Sequence, residues 1–248
     1  MSYGICALSI VPLRSAAQED ASIISEILYG EIFTIIETQS QWISVQLADG
    51  SQGWIDSVQC QKISATDYEK LSKTPPKVAA DLVEFICKNE AILFPISIGS
   101  LVHNASFLAH TYEGAISGDK LEKSRIREMA LIFLNAPYRK GGKSPFGIDA
   151  SGFVQTVYRL CGCALPRTVL EQSEQGEVLS FIEETEVGDL AFFDDNEGTI
   201  HHVGIILENN HIIHCYGHVR IDRLDQMGIF NNERRMHTHQ LRVIKKII

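Results

Sequence analysis

Ile148-Asp149-Ala150-Ser151-Gly152-Phe153-Val154-Gln155-Thr156-Val157-Tyr158 decides the reading of this chain. Phe153, Val157 and Leu160 recur at the period of an amphipathic helix, and Asp149 is a residue type that caps a helix start. The spacing predicts a helix that begins beside Asp149, with residue 150 at the positive end of its dipole. Upstream, Pro137-Tyr138-Arg139-Lys140-Gly141-Gly142 and Ser144-Pro145-Phe146-Gly147 read as a turn-rich approach. Downstream lie three further blocks, Gly188-Asp189-Leu190-Ala191-Phe192-Phe193, His202-Val203-Gly204-Ile205 and Ile212-Ile213-His214.

Before this block lies a β-type pattern. Between Ile5 and Ile63, short apolar runs (Ile32 to Ile36, Trp42 to Leu47, Gly53-Trp54-Ile55) alternate with turn signals such as Asp49-Gly50. Lys73-Thr74-Pro75-Pro76-Lys77 is a stiff, extended break. Leu121, Ile126, Met129, Ala130 and Phe133 suit a helix over 121–134. The expected fold class is α+β, with a barrel over 1–66, a linker and second short β unit over 67–119, and a larger domain over 120–248.

Composition narrows the function. Lys and Arg total 22 against 31 Asp and Glu, a formal charge of −9, which argues against nucleic acid as a partner. No apolar run approaches the roughly 18 residues that span a bilayer. The start, Met1-Ser2-Tyr3-Gly4-Ile5-Cys6, lacks the basic and apolar regions of a secretion signal, so a cytoplasmic location is expected. The six cysteines read as reduced thiols.

The blocks from Tyr138 to His214 resemble the NlpC/p-sixty family of papain-like cell-wall cysteine peptidases, whose pattern is PYxxGG, DCSGFV, GDLxFF and HVGI. Gln41-Trp42-Ile43-Ser44-Val45 with Gly53-Trp54-Ile55 resembles the bacterial SH3-like domains that accompany such enzymes. One position departs: Ala150 stands where the family has its nucleophilic cysteine, and a methyl group cannot attack a carbonyl. Two histories fit, a deliberate Cys→Ala replacement that leaves the protein inactive or a natural pseudoenzyme that binds without cleaving. The retention of His202 and His214 favours the first.

The resemblance implies hydrolysis of the γ-D-Glu–diamino acid bond in murein tripeptides or tetrapeptides, L-Ala-γ-D-Glu-diaminopimelate or -Lys, in cell-wall peptide recycling. It implies no metal or organic cofactor. His202 is the implied base and later acid, and His214 the residue that fixes its tautomer. Asp149 and Ser151 are implied contacts of the D-glutamyl group. Tyr138 is the implied helper at the oxyanion, and Arg167 belongs to the matching Leu165-Pro166-Arg167. Lys140 stands where the family commonly has an aromatic residue, and Thr168-Val169 where recycling relatives often have Asp-Ser. Glu31, in Leu28-Tyr29-Gly30-Glu31, is the expected carboxylate for a free peptide amino end.

The remaining histidines read as peripheral. Neighbouring strand residues point to opposite faces, so only one of His201 and His202 faces the site, and the Val203-Gly204-Ile205 that follows selects His202. His211, His218, His237 and His239 read as surface residues. A zinc site built from His202, His214, Cys215 and Cys163 is not expected, because neither Cys161-Gly162-Cys163 nor the histidine separations match usual ligand spacings.

Overall fold

A computed structural model describes residues 2–120, 122–195 and 197–248. The chain divides into two compact units: residues up to Asp119 with Lys140–Pro145, and Lys120–Arg139 with Phe146–Ile248.

In the first unit the alternating apolar runs build a seven-stranded sheet, in the order Ile23–Leu28, Ile10–Arg14, Gln52–Asp56, Trp42–Leu47, Ile32–Gln39, Ser2–Ile5, Gln61–Ile63. Its neighbouring strands run antiparallel. Inward positions supply one core of Val11, Leu13, Ile27, Phe33, Ile43, Val45 and Ile55. Helix α1 (Ala65–Ser72) starts at Ser64, whose side chain accepts the Asp67 N–H. Beyond the diproline, Ile92–Ser97, Val83–Lys88 and His110–Tyr112 form a three-stranded sheet, and Val78–Ala79 pairs with Ile116–Ser117. Ile86, Ile96 and Ala79 pack in one cluster with Ile5, Tyr29 and Leu71 from before the break.

In the second unit, helix α2 (Arg125–Leu131) is shorter than the periodicity predicts. Glu122 and Lys123 lie in turns that lead into it, and Leu121 lies outside the described residues. Ile126, Ala130 and Phe133 are buried as expected. Helix α3 (Ala150–Leu160) is the helix foreseen after Asp149, and a short helix α4 (Val169–Ser173) follows.

The second unit's sheet has seven strands, in the order Glu177–Leu179, Met236–Lys246, Leu190–Asp194, Ile200–Leu207, His211–Tyr216, His218–Asp225, Gly228–Asn231. The last also pairs with Met236–Lys246, so six strands close into a ring. Helix α3 packs on the Ile200–Leu207 and His211–Tyr216 strands. The architecture is therefore strand-rich α+β. No helix among the described residues is long and apolar enough to cross a membrane.

A buried charge cluster ties the inserted Lys140–Pro145 segment to the first unit's sheet. Glu31 accepts the Leu28 N–H at 2.9 Å and faces the Lys143 ammonium at 3.3 and 3.4 Å, while Glu26 accepts the Lys143 N–H at 2.6 Å. Lys143 and Glu31 are 1% and 8% exposed at their side chains, so removing one partner strands a charge in a dry environment. Lys143→Met is expected to destabilise the first unit by about 3–5 kcal/mol. Glu31→Gln added to Lys143→Met should recover part of that loss. Urea titration followed by tryptophan fluorescence reads this unit selectively, because both tryptophans, Trp42 and Trp54, lie in it.

Candidate active site

The helix that begins at Ala150 is held at its first turn by three side chains acting together. Asp149 Oδ1 accepts the Gly152 N–H at 2.7 Å, the capping bond that satisfies one of the orphan amides of a helix start. Arg167 grips the same carboxylate with two nitrogens, Nη1 to Oδ1 at 3.0 Å and Nη2 to Oδ2 at 2.7 Å. Its Nη1 also donates to Ser151 Oγ at 2.8 Å. A planar guanidinium suits this fork, and it fixes Asp149 and Ser151 on either side of residue 150. Gln172 of α4 donates to the Ser151 carbonyl at 3.0 Å and the Pro166 carbonyl at 2.9 Å, which anchors the loop that carries Arg167. Thr168, which departs from the family pattern, caps α4 in a reciprocal box with Glu171.

The strands under α3 supply the imidazoles. Gly204 pairs with His214, so His202, two residues earlier, meets His214 diagonally on one face. A Cβ at Gly204 would lie 2.9 Å from the His214 Cβ and 2.7 Å from Ile212 Cδ1, which is why this strand carries glycine here. His202 Nε2 and His214 Nδ1 are 2.8 Å apart, and His214 Nε2 lies 3.1 Å from Asp222 Oδ2. Asp222 is held in turn by Arg220 at 2.8 Å and by Asn231 at 3.3 Å.

The protonation pattern follows from these contacts. Burial works to raise the Asp222 pKa, but hydrogen bonds from His214 and Arg220 outweigh it and hold the carboxyl below its ordinary value. An ionised carboxylate only accepts, so neutral His214 carries its hydrogen on Nε2. Nδ1 of His214 is then an acceptor, and His202 must donate to it from Nε2. The lone pair of His202 is thereby placed on Nδ1. Burial, followed by the neighbouring imidazoles, drives the His202 pKa well below its usual value, so the ring is neutral.

The expected site residues fall mainly into two networks. Asp149, Ser151 and Arg167 form one network at the start of α3, and His202 and His214 form another on the strands that α3 packs against. Tyr138 is half exposed, and its backbone is fixed by its N–H to the Gly217 carbonyl at 2.9 Å and by a bridge to Ile148. Burial and then the Asp149 charge raise its hydroxyl pKa, which keeps it a donor. Glu31 belongs to the first unit, where the chain's own Lys143 supplies it with an ammonium.

Two residues in contact with the His202–His214 pair carry no signal in the sequence. His239, expected at the surface, is buried and stacks on His202 with ring centroids 4.1 Å apart. The cause is a β-bulge: Phe230 pairs with His237 and Ile229 with His239, leaving Thr238 as an extra residue. The bulge turns His239 inward, where an unbroken alternation would have grouped it with His237. Asp222 gave no signal of its own, because Arg220-Ile221-Asp222-Arg223 reads as an ordinary charged strand; only the pairing Ile212↔Asp222, beside His214↔Arg220, brings it to the imidazoles.

One cysteine lies against the residue that precedes Asp149. Cys215 donates to the Ile148 carbonyl at 3.2 Å, and burial pushes its thiol up to about 12. It is a packing residue. All six cysteines are unpaired.

The site thus consists of a capped helix start with Ala150 at its first position and, on the strands that the helix packs against, a hydrogen-bonded pair of imidazoles. The NlpC/P60 family profile matches residues 135–237, and that of the bacterial dipeptidyl-peptidase Sh3 domain matches residues 13–59. The chain belongs to the NlpC/P60 family. It is 27% identical over 219 residues to a gamma-D-glutamyl-L-lysine dipeptidyl-peptidase of Bacillus subtilis, covering 79% of this chain and 73% of the relative. It is 33% identical over 109 residues to a probable endopeptidase of Haemophilus influenzae, covering 43% of this chain and 67% of the relative. A crystal structure of a NlpC/P60 family protein from Bacillus cereus superimposes with a TM-score of 0.79 over 99% of both chains at 16% identity, which shows a shared fold.

The Asp149–Arg167 fork can be tested apart from any chemistry. Asp149→Ala removes the cap and strands a buried guanidinium, so a loss of about 3–5 kcal/mol is expected. Asp149→Asn keeps an acceptor for the Gly152 N–H and should cost less. Hydrogen exchange of the amides in residues 150–160, measured by mass spectrometry, should accelerate in the same order.

Proposed function

We propose that this chain recognises murein stem peptides of the L-Ala-γ-D-Glu-diamino acid type. With a cysteine at position 150 it hydrolyses the γ-D-Glu–diamino acid bond; with Ala150 it binds without cleaving. The observation that supports this most directly is the hydrogen-bonded series His202–His214–Asp222 on the strands against which α3 packs. The dipeptidyl-peptidase similarity, which extends over most of the chain, points to the same substrate class.

The tautomer argument assigns the proton route. A thiol at position 150 would give its proton to the free lone pair on His202 Nδ1, and the helix start would stabilise the thiolate. The thiolate adds to the γ-carbonyl carbon, and His202 returns its proton to the leaving amine. Water then hydrolyses the thioester and regenerates the thiol. The amide of residue 150 and the Tyr138 hydroxyl are the proposed donors to the oxyanion. Asp149 and Ser151 are the proposed contacts of the D-glutamyl portion, with Arg167 holding both. A place in murein recycling, acting on free peptides in the cytoplasm, belongs to the same proposal.

Ala150 itself supports a second reading, a natural binding protein built on a hydrolase framework. The Ala150→Cys variant separates the two. Incubated with L-Ala-γ-D-Glu-Lys and with its diaminopimelate counterpart, it should release the free diamino acid, identified by mass. Peptide binding without cleavage in that variant would select the binding-only reading, and absence of both would overturn the proposal.

A further inference from the structure

The imidazoles do more than form a relay. His202, His214 and His239 are all buried, and each offers a ring nitrogen within 4.8 Å of the others. We propose that these three residues bind a single zinc ion, with a fourth position open to water. The assignment stands on the imidazole geometry and does not rest on the peptidase reading.

Three features of the surroundings support it. Zinc held by imidazole at about 2.0–2.1 Å in a tetrahedral array sets ligand nitrogens about 3.3 Å apart. The His202–His214 pair at 2.8 Å needs to open by about half an ångström, and the widest separation to close by about 1.5 Å, movements of side-chain size. Next, two of the rings already have the outer partners that orient metal-bound histidines. His214 Nε2 meets the Asp222 carboxylate at 3.1 Å and His239 Nδ1 meets Thr238 Oγ1 at 2.9 Å, leaving His214 Nδ1 and His239 Nε2 for an ion. Last, one of the three rings borders a cleft. His239 lines a cleft of about 630 Å³ together with Asp194, Asp195, His201 and His237. Asp194 is 7% exposed; its Oδ2 lies 3.7 Å from Arg242 Nε, and its Oδ1 has no hydrogen-bond partner among the described residues. An acid-lined approach favours a divalent cation over an anion.

Neutral imidazole nitrogens with no thiolate nearby suit zinc over harder ions, which prefer oxygen. Binding at His202 Nε2 shifts the hydrogen of that atom to Nδ1, so no proton is lost from the ring. The same shift fills the lone pair that would serve as base. Zinc occupancy and general-base action by His202 are therefore mutually exclusive.

The full chain, stripped with chelator and dialysed against zinc chloride alone, should take up one equivalent. Cobalt substitution should give the intense visible bands of a four-coordinate site with no thiolate charge-transfer band, which separates imidazole ligation from binding by the six cysteines. His239→Gln should lose the bound equivalent, Asp222→Asn should weaken it about 10–100-fold, and His211→Gln should leave it unchanged. In the unmodified chain, zinc titration should shift the ring NMR signals of His202, His214 and His239 together, a readout that needs no variant. Uptake well below one equivalent, a thiolate band, or ring signals that stay in place would each overturn the site.

Discussion

The hydrogen bond between His214 and Asp222 is the constraint on which the chemistry of this fold depends. It is a single contact, 3.1 Å long, in a place where water cannot compete. Because the carboxylate accepts only, it dictates which nitrogen of His214 is protonated, and through the 2.8 Å contact it dictates the same for His202. Without Asp222, either tautomer of each ring would satisfy the pair, and the lone pair of His202 would have no fixed address. Arg220 and Asn231 keep the acid ionised and oriented, so what reads in sequence as a charged strand is a device for setting a proton's position two residues away in space.

The other end of the site is held by a different kind of interaction. The Asp149–Arg167–Ser151 network is ionic and largely buried, and such networks rarely add stability over an apolar alternative. What they supply is geometry: the fork fixes both flanks of residue 150 and leaves the helix start rigid. Gln172, with no exposure, extends this rigidity to the loop carrying the guanidinium. A helix start held on both sides in this way keeps its shape whatever side chain stands at position 150.

How much of this was legible in the sequence depends on how local the signal is. Helix α3 was readable because its cap, its apolar spacing and its dipole are properties of adjacent residues. Glycine at 204 and histidine at 202 were readable as a pattern, although the reason for the glycine, contact with His214 and Ile212, appears only in the sheet. Helix α2 was overextended because the apolar period continues past both ends, while turns at Glu122–Lys123 and after Leu131 stop the helix. His239 could not be read at all. Its inward orientation comes from a bulge at Thr238, and a bulge is decided by pairing with Gly228–Asn231, not by the strand's own residues. At Glu31 the legible part is the carboxylate, while its pairing with Lys143, 112 residues away in sequence, is visible only in the fold.

Seen together, the imidazoles explain why a hydrolase of this design and a metal site are close neighbours in structure. Both need buried, neutral rings whose far nitrogens are fixed by acceptors, and both need an approach from solvent. The proposed relay keeps the hydrogen on His202 Nε2 and leaves Nδ1 as the acceptor; the proposed metal site uses Nε2 itself. A third ring at His239 adds nothing to proton transfer along His202–His214–Asp222, since its hydrogen bond goes to Thr238 and its contact with His202 is a stack. Its presence is costly, because burial, with the neighbouring His214 and His201 rings acting in the same direction, lowers its pKa to about 3 and its ring must stay neutral in company with two others. A ligand shared by all three rings gives that arrangement a chemical reason, and the methyl at 150 removes the competing demand for the His202 lone pair.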